Sequence, residues 1–171
     1  MKLNFLPKLM FITSFLVLNS CSSDNVDADV ENLTAQAKPE LVLNYNYNAS
    51  ELETLDLINN YRAGLGLKRL EKINHISYKS EEHDLYMIQN NVFNHYDFIS
   101  RSENIIKVLG AQTVAENIAF NYNTPKTVLD GWLNSPSHKK NIIGNFTHVG
   151  IAIRENPVCG EKYYTNSFAK L

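Results

Sequence analysis

The sequence predicts an α+β domain built on a mainly antiparallel sheet. Helical periodicity fills the stretch from Ser50 to about Asn91, strand candidates are concentrated late in the chain, and Thr147 to Ile153 alternates with Val149, Ile151 and Ile153 on one side. A chain of 171 residues with 44% hydrophobic and 11% aromatic content has material for one ordinary core. Its net charge of -2 comes with no basic run, which speaks against nucleic acid as a partner.

Residues 1–20 stand outside the fold. Lys2 and Lys8 precede and edge the apolar run Leu9–Leu18, too short to span a bilayer, and this reads as an export signal. The run ends in Leu18-Asn19-Ser20-Cys21, which resembles a bacterial lipobox. The resemblance implies a lipid on Cys21, hence a membrane partner, and a location at the outer membrane or cell surface. An ordinary signal cleaved nearby is the alternative. With Cys21 lipidated, Cys159 has no intrachain partner, and the fold rests on its core alone. Residues 21–40 are polar and acidic, so they read as a flexible tether, leaving 41–171 as the folded domain.

Within that domain Ser50-Glu51-Leu52-Glu53 fits a capping box, with Ser50 as cap. Leu52, Leu55, Ile58 and Tyr61 follow at helical spacing, and Gly64 supplies the stop. A second helix starts at Asn74 and runs to about Asn91, with Ile76, Ser80, His83 and Met87 on one face. Thr124 caps a third helix that opens on Pro125 and turns Val128, Leu129 and Trp132 inward. The strands are Val114–Phe120, Thr147–Ile153 and Lys162–Phe168.

The segment GWLNSPSHKKNI, Gly131 to Ile142, stops one helix and starts another. Ser135 takes the N-cap position, Pro136 is the first helical residue and His138 the third. The positive potential of a helix start disfavours an imidazolium, so His138 is expected neutral near pH 7, the form of a metal ligand or general base. A histidine that merely bonds a neighbouring loop suits the same place.

Four fragments in order, Asn94-His95-Tyr96-Asp97, Ala115-Glu116-Asn117-Ile118-Ala119, GWLNSPSHKKNI and Tyr163-Tyr164-Thr165-Asn166-Ser167-Phe168, resemble the bacterial branch of the CAP superfamily. That superfamily takes in cysteine-rich secretory proteins, antigen 5 proteins and plant pathogenesis-related proteins. Ile58-Asn59-Asn60-Tyr61-Arg62, His83 with Met87, Arg101 and Phe146–Ala152 extend the likeness from Leu52 to Phe168. The resemblance implies an α-β-α sandwich with a cleft lined by two histidines and acidic residues. It places these on His95, Glu116 and His138, with Asn117 and Ser135 as supports. Ser135 also stands where many eukaryotic members carry a further glutamate.

Two imidazoles, a carboxylate and an open position would suit Zn²⁺ or another divalent cation. Alternatively Glu116 is a buried carboxylate with His95 and His138 as its hydrogen-bond partners. No serine or cysteine stands out as a nucleophile: Ser135 and Ser137 belong to a helix start, and Cys159 lies in a turn-like stretch. His83 reads as a packed core histidine, His148 as exposed, and Trp132 and Tyr61 as core anchors. The readings left open are a surface-anchored module for an ion and an extracellular peptide or glycan, a lipid-binding module, a metal-dependent hydrolase, and an adhesion protein.

Overall fold

The computed structural model describes residues 40–171, and Ala37–Leu171 forms a compact unit of its own. The expected export signal, the lipid on Cys21 and most of the tether lie outside the described residues. Five helices, α1 (Ala49–Gly64), α2 (Asn74–Asn90), α3 (Phe98–Leu109), α4 (Pro125–Asn134) and α5 (Pro136–Ile142), surround four strands, β1 (Glu71–Lys72), β2 (Thr113–Phe120), β3 (His148–Glu155) and β4 (Lys162–Lys170). The strand order is β1-β3-β4-β2. β1 runs parallel to β3, while β3–β4 and β4–β2 are antiparallel.

Period-two alternation gives the sheet two buried faces, and helices cover both. Val149, Ile151 and Ile153 lie beside Phe168, Asn166 and Tyr164. Their apolar members pack with Leu55 and Ile58 of α1, Val128, Leu129 and Trp132 of α4, and Ile142 of α5. The opposite face carries Ile118, Tyr163 and Ala169, against Ile76 and Met87 of α2 and Ile105 of α3. Gly150 sits under α2, where a Cβ would collide with the backbone of Ile76 and Ser77. The result is the α+β architecture that the residue pattern predicts and the α-β-α sandwich that the family resemblance implies.

Several expectations need correction. The cap of α1 is Asn48, whose side chain accepts from the Glu51 N–H while the Glu51 carboxylate accepts from the Asn48 N–H. The capping box is therefore two residues earlier than Ser50. Tyr45, Ile153 and Arg154 also donate to Glu51, so this buried carboxylate serves two elements at once. The stop is Gly66, at φ 74°, with Leu67 N–H bonded to Arg62 O and Gly66 N–H to Ala63 O. Those two bonds are a Schellman closure, and its left-handed residue is the glycine. Leu52 is 42% exposed rather than inward. Two elements add to those expected: the two-residue β1, too short to alternate, and α3, of which only Ile105 is buried. His148 opens β3, and its ring, expected exposed, is largely covered, with Nδ1 2.8 Å from Thr147 Oγ1.

Candidate functional site

β2 is an edge strand, and successive residues on it serve opposite faces. Glu116 turns toward α2 and α3, whereas Asn117 turns toward α5. This pleat brings material from both layers to one edge.

On the first side Glu116 is almost wholly buried, its side chain 2% exposed. Its Oε1 accepts from His95 Nδ1 at 2.9 Å and from Arg101 Nη2 at 2.9 Å. Its Oε2 accepts from Arg101 Nε at 3.1 Å and Nη2 at 3.0 Å. Both oxygens are thus engaged. Burial alone would push this carboxyl up, but the His95 hydrogen bond and the Arg101 charge outweigh it and hold the group below the ordinary carboxylate value. Because the acceptor is a carboxylate, His95 Nδ1 carries the proton and Nε2 is left as the other ring atom, on a side chain 48% exposed.

Local backbone explains how these groups meet. α2 ends on Asn91 in the left-handed region, and Asp97 at φ 56° starts α3. His95 lies in the short crossing between them, and Arg101 on the first turn of α3. Arg101 Nη1 also donates to Tyr96 O at 2.6 Å, so one guanidinium ties the crossing to the carboxylate.

His83 is buried beneath them, its Nε2 donating to Asn94 O at 2.9 Å and standing 4.0 Å from Glu116 Oε1. Distance alone would make this an ion pair. Burial first, and then the Arg101 charge, push its pKa down to about 4, so at neutral pH it is an uncharged imidazole and no ion pair forms. Its Nδ1 has no partner among the described residues. The expected packed core histidine is therefore also the floor of this cluster. A slot of about 140 Å³ opens beside it between Tyr86, Tyr96 and Arg101, with Tyr86 and Tyr96 stacked at 4.8 Å.

From the other side, α5 brings His138. Burial, followed by the neighbouring His95, lowers its pKa, so the neutral imidazole expected from the helix start is present for a different main reason. Its ring makes no hydrogen bond among the described residues, and it is not a partner of Glu116. Asn117, fully buried, fixes the position of α5: Nδ2 donates to His138 O at 3.0 Å and Oδ1 accepts from Asn141 Nδ2 at 2.8 Å. Asn141 Nδ2 reaches Glu116 O as well. The Ser135 hydroxyl bonds only to Ser137 Oγ, at 3.2 Å, and makes no side-chain cap.

Of the residues expected at the cleft, the structure joins His95 directly to Glu116, sets His138 beside them through Asn117, and leaves Ser135 apart. Arg101 and His83 are the additions. Among the described residues no three His, Cys, Asp or Glu side chains converge as a ready set of metal ligands. Cys159 is exposed, with Sγ 3.1 Å from Glu161 Oε2, far along the chain from the cluster. Trp132 is core, its Nε1 donating to Ile118 O. Tyr61 packs against the same core, partly buried.

Comparison with known proteins agrees with this architecture. The chain is 33% identical over 128 residues to the uncharacterized membrane protein YlbC of Bacillus subtilis, covering 71% of this chain and 34% of that protein. It is 31% identical over 142 residues to the uncharacterized protein YkwD of the same organism, covering 81% and 53%. It thus spans between about a third and about half of the length of these two relatives. Among solved structures, an outer surface protein of Borrelia burgdorferi superposes with a TM-score of 0.66 at 20% identity, over 74% of this chain and 96% of that one. The model of the CAP family, the cysteine-rich secretory protein family, matches residues 55–168, and the chain belongs to that family.

Proposed function

We propose that this chain is an exported, lipid-anchored binding module whose β2-edge cleft takes an extracellular ligand through a divalent cation held by His95 and His138. One observation carries the reading. The ionised Glu116 holds the Nδ1 proton of His95, which orients the ring and leaves Nε2 free, as a carboxylate behind a metal-bound histidine does. His138, neutral and adjacent, supplies the second imidazole. Glu116 itself does not fit as a ligand, because Arg101 and His95 occupy both of its oxygens. Two imidazole donors suit Zn²⁺ or a similar borderline cation, and a bound cation would leave positions open for ligand oxygen or nitrogen atoms.

Binding is favoured over nucleophilic catalysis because no hydroxyl or thiol hydrogen-bonds to His95 among the described residues. Export is supported by the apolar run before Cys21, and the Borrelia structure of the same fold is that of an outer surface protein. Among the described residues no helix is long and apolar enough to cross a membrane, so anchoring falls to Cys21 in this reading.

The test is calorimetric titration of Zn²⁺ into metal-stripped Ala37–Leu171. One-to-one binding, lost in His95→Ala and in His138→Ala, is the expected result. Binding that survives both substitutions would refute the assignment.

A further inference from the structure

A cavity of about 670 Å³ lies away from the His95–Glu116 pair. It lies toward the opposite edge of the sheet, where the chain entering β1 passes the turn after α5 and the start of β3. Its size is that of a small-molecule site. Arg62, Lys68, Arg69, His148 and Lys170 line it. Against them stand the Glu71 side chain, 3.6 Å from His148 Nε2, and Asp56, whose Oδ1 lies 3.2 Å from Arg69 Nη2. In a chain of net charge -2 this excess of cations is local.

Arg62 supplies an independent observation. It is 2% exposed, and its guanidinium donates to Lys68 O at 3.0 Å, Ile142 O at 2.7 Å and Gly144 O at 3.0 Å. Those carbonyls satisfy its donors but carry no net charge, and no carboxylate among the described residues lies within 4.0 Å of it. Buried cations are normally paired, so a charge is left for something else to balance. Lys68 is exposed and has no ion-pair partner among the described residues. A neighbouring cavity of about 380 Å³ shares Gly144, Phe146 and Lys170 and adds Lys140, extending the cationic lining around the turn.

We propose that this cavity is a second ligand site, for a phosphate-bearing anion of small-molecule size, with Lys68 and Lys170 contacting it and Arg62 as the buried charge behind them. Ammonium groups act there as point charges on phosphate oxygens. The phosphate belongs either to a soluble compound or to a lipid headgroup. The site stands whether or not His95 and His138 bind a cation.

The probe is inorganic tripolyphosphate, titrated calorimetrically into Ala37–Leu171. One-to-one binding is expected, weakened at least about tenfold in Lys68→Glu/Lys170→Glu and unchanged in the equally charged control Lys107→Glu/Lys126→Glu. Circular dichroism of both variants checks that the fold persists. Absence of binding to the unsubstituted chain and to phosphatidylglycerol vesicles, or equal losses in the two variants, would overturn the proposal. Sedimentation with phosphatidylglycerol against phosphatidylcholine vesicles separates the sources. Phosphatidylglycerol binding lost in the cavity variant places the phosphate on a lipid, and tripolyphosphate binding without it places the phosphate in solution.

Discussion

Arg101 meets Glu116 side-on, with Nε 3.1 Å from Oε2 and Nη2 within 3.0 Å of both carboxylate oxygens. The arginine side chain is 11% exposed and the glutamate 2%. Truncating one partner of such a pair leaves a charge buried without compensation. Arg101→Ala should therefore cost about 3 kcal/mol in urea unfolding at pH 7. Glu116→Gln in the Arg101→Ala background should recover part of that loss. A cost near zero for the single variant would mean that solvent already screens the pair.

The same carboxyl makes stability depend on pH in a stated direction. Its pKa is lowered in the fold, so its contribution is present above the ordinary value of 4.5 and lost as pH falls through the lower folded value. His83 acts in a higher window. Its folded value of about 4 against an ordinary 6.5 gives a contribution present above 6.5 and lost as pH falls toward 4. Urea midpoints should drop between pH 7 and pH 5 by the equivalent of about 2 kcal/mol from His83 alone. His83→Gln, which keeps an N–H for Asn94 O, should flatten that segment of the profile. An unchanged slope would show that other groups produce it.

Asp84 behaves oppositely. It is fully buried, takes one hydrogen bond from Thr165 Oγ1 at 2.6 Å, and leaves Oδ2 unpartnered. Burial raises its pKa well above the ordinary 3.8, so its contribution is present below 3.8 and lost as pH rises through the folded value. Asp84→Asn keeps an acceptor for Thr165 and removes the ionisable group. It should stabilise the protein by about 1 kcal/mol or more at pH 8, with a smaller gain at pH 4. A loss at both pH values would mean that the acid proton has a partner that the amide cannot reproduce.

Gly150 is required by approach rather than by backbone conformation. A methyl group there meets backbone of α2, which cannot swing aside like a side chain. Gly150→Ala should destabilise by about 3 kcal/mol, and Gly64→Ala, with open space around it, by far less. Equal costs in thermal unfolding would contradict this.

What the sequence made legible follows from where its signals are physical. The inward face of α2 and the alternation of Val149, Ile151 and Ile153 are burial patterns, and all seven of those residues are buried. Thr124 and Pro125 mark the start of α4 because a capping oxygen and a missing N–H act locally. The α1 cap is ambiguous in sequence because Asn48 and Ser50 both begin plausible boxes, and contacts of Glu51 with Ile153 and Arg154, a hundred residues away, favour Asn48. At the site, the family resemblance points to His95 and Glu116, and the fold pairs them. The role of Arg101 was not legible, since its spacing from Glu116 shows nothing until α3 folds against β2. His83 looked like core and is core; its distance to Glu116 is a tertiary fact.

The central claim is that Glu116 orients His95 so that Nε2 and His138 together receive a cation. Long-range ¹H–¹⁵N spectra of the imidazoles, recorded on Ala37–Leu171 during Zn²⁺ titration, test it most directly. Saturable shifts of His95 Nε2 and one His138 nitrogen, with His83 and His148 unmoved and the His95 effect weakened in Glu116→Gln, are the predicted outcome. Shifts through His95 Nδ1, or spectra indifferent to Zn²⁺, would contradict it.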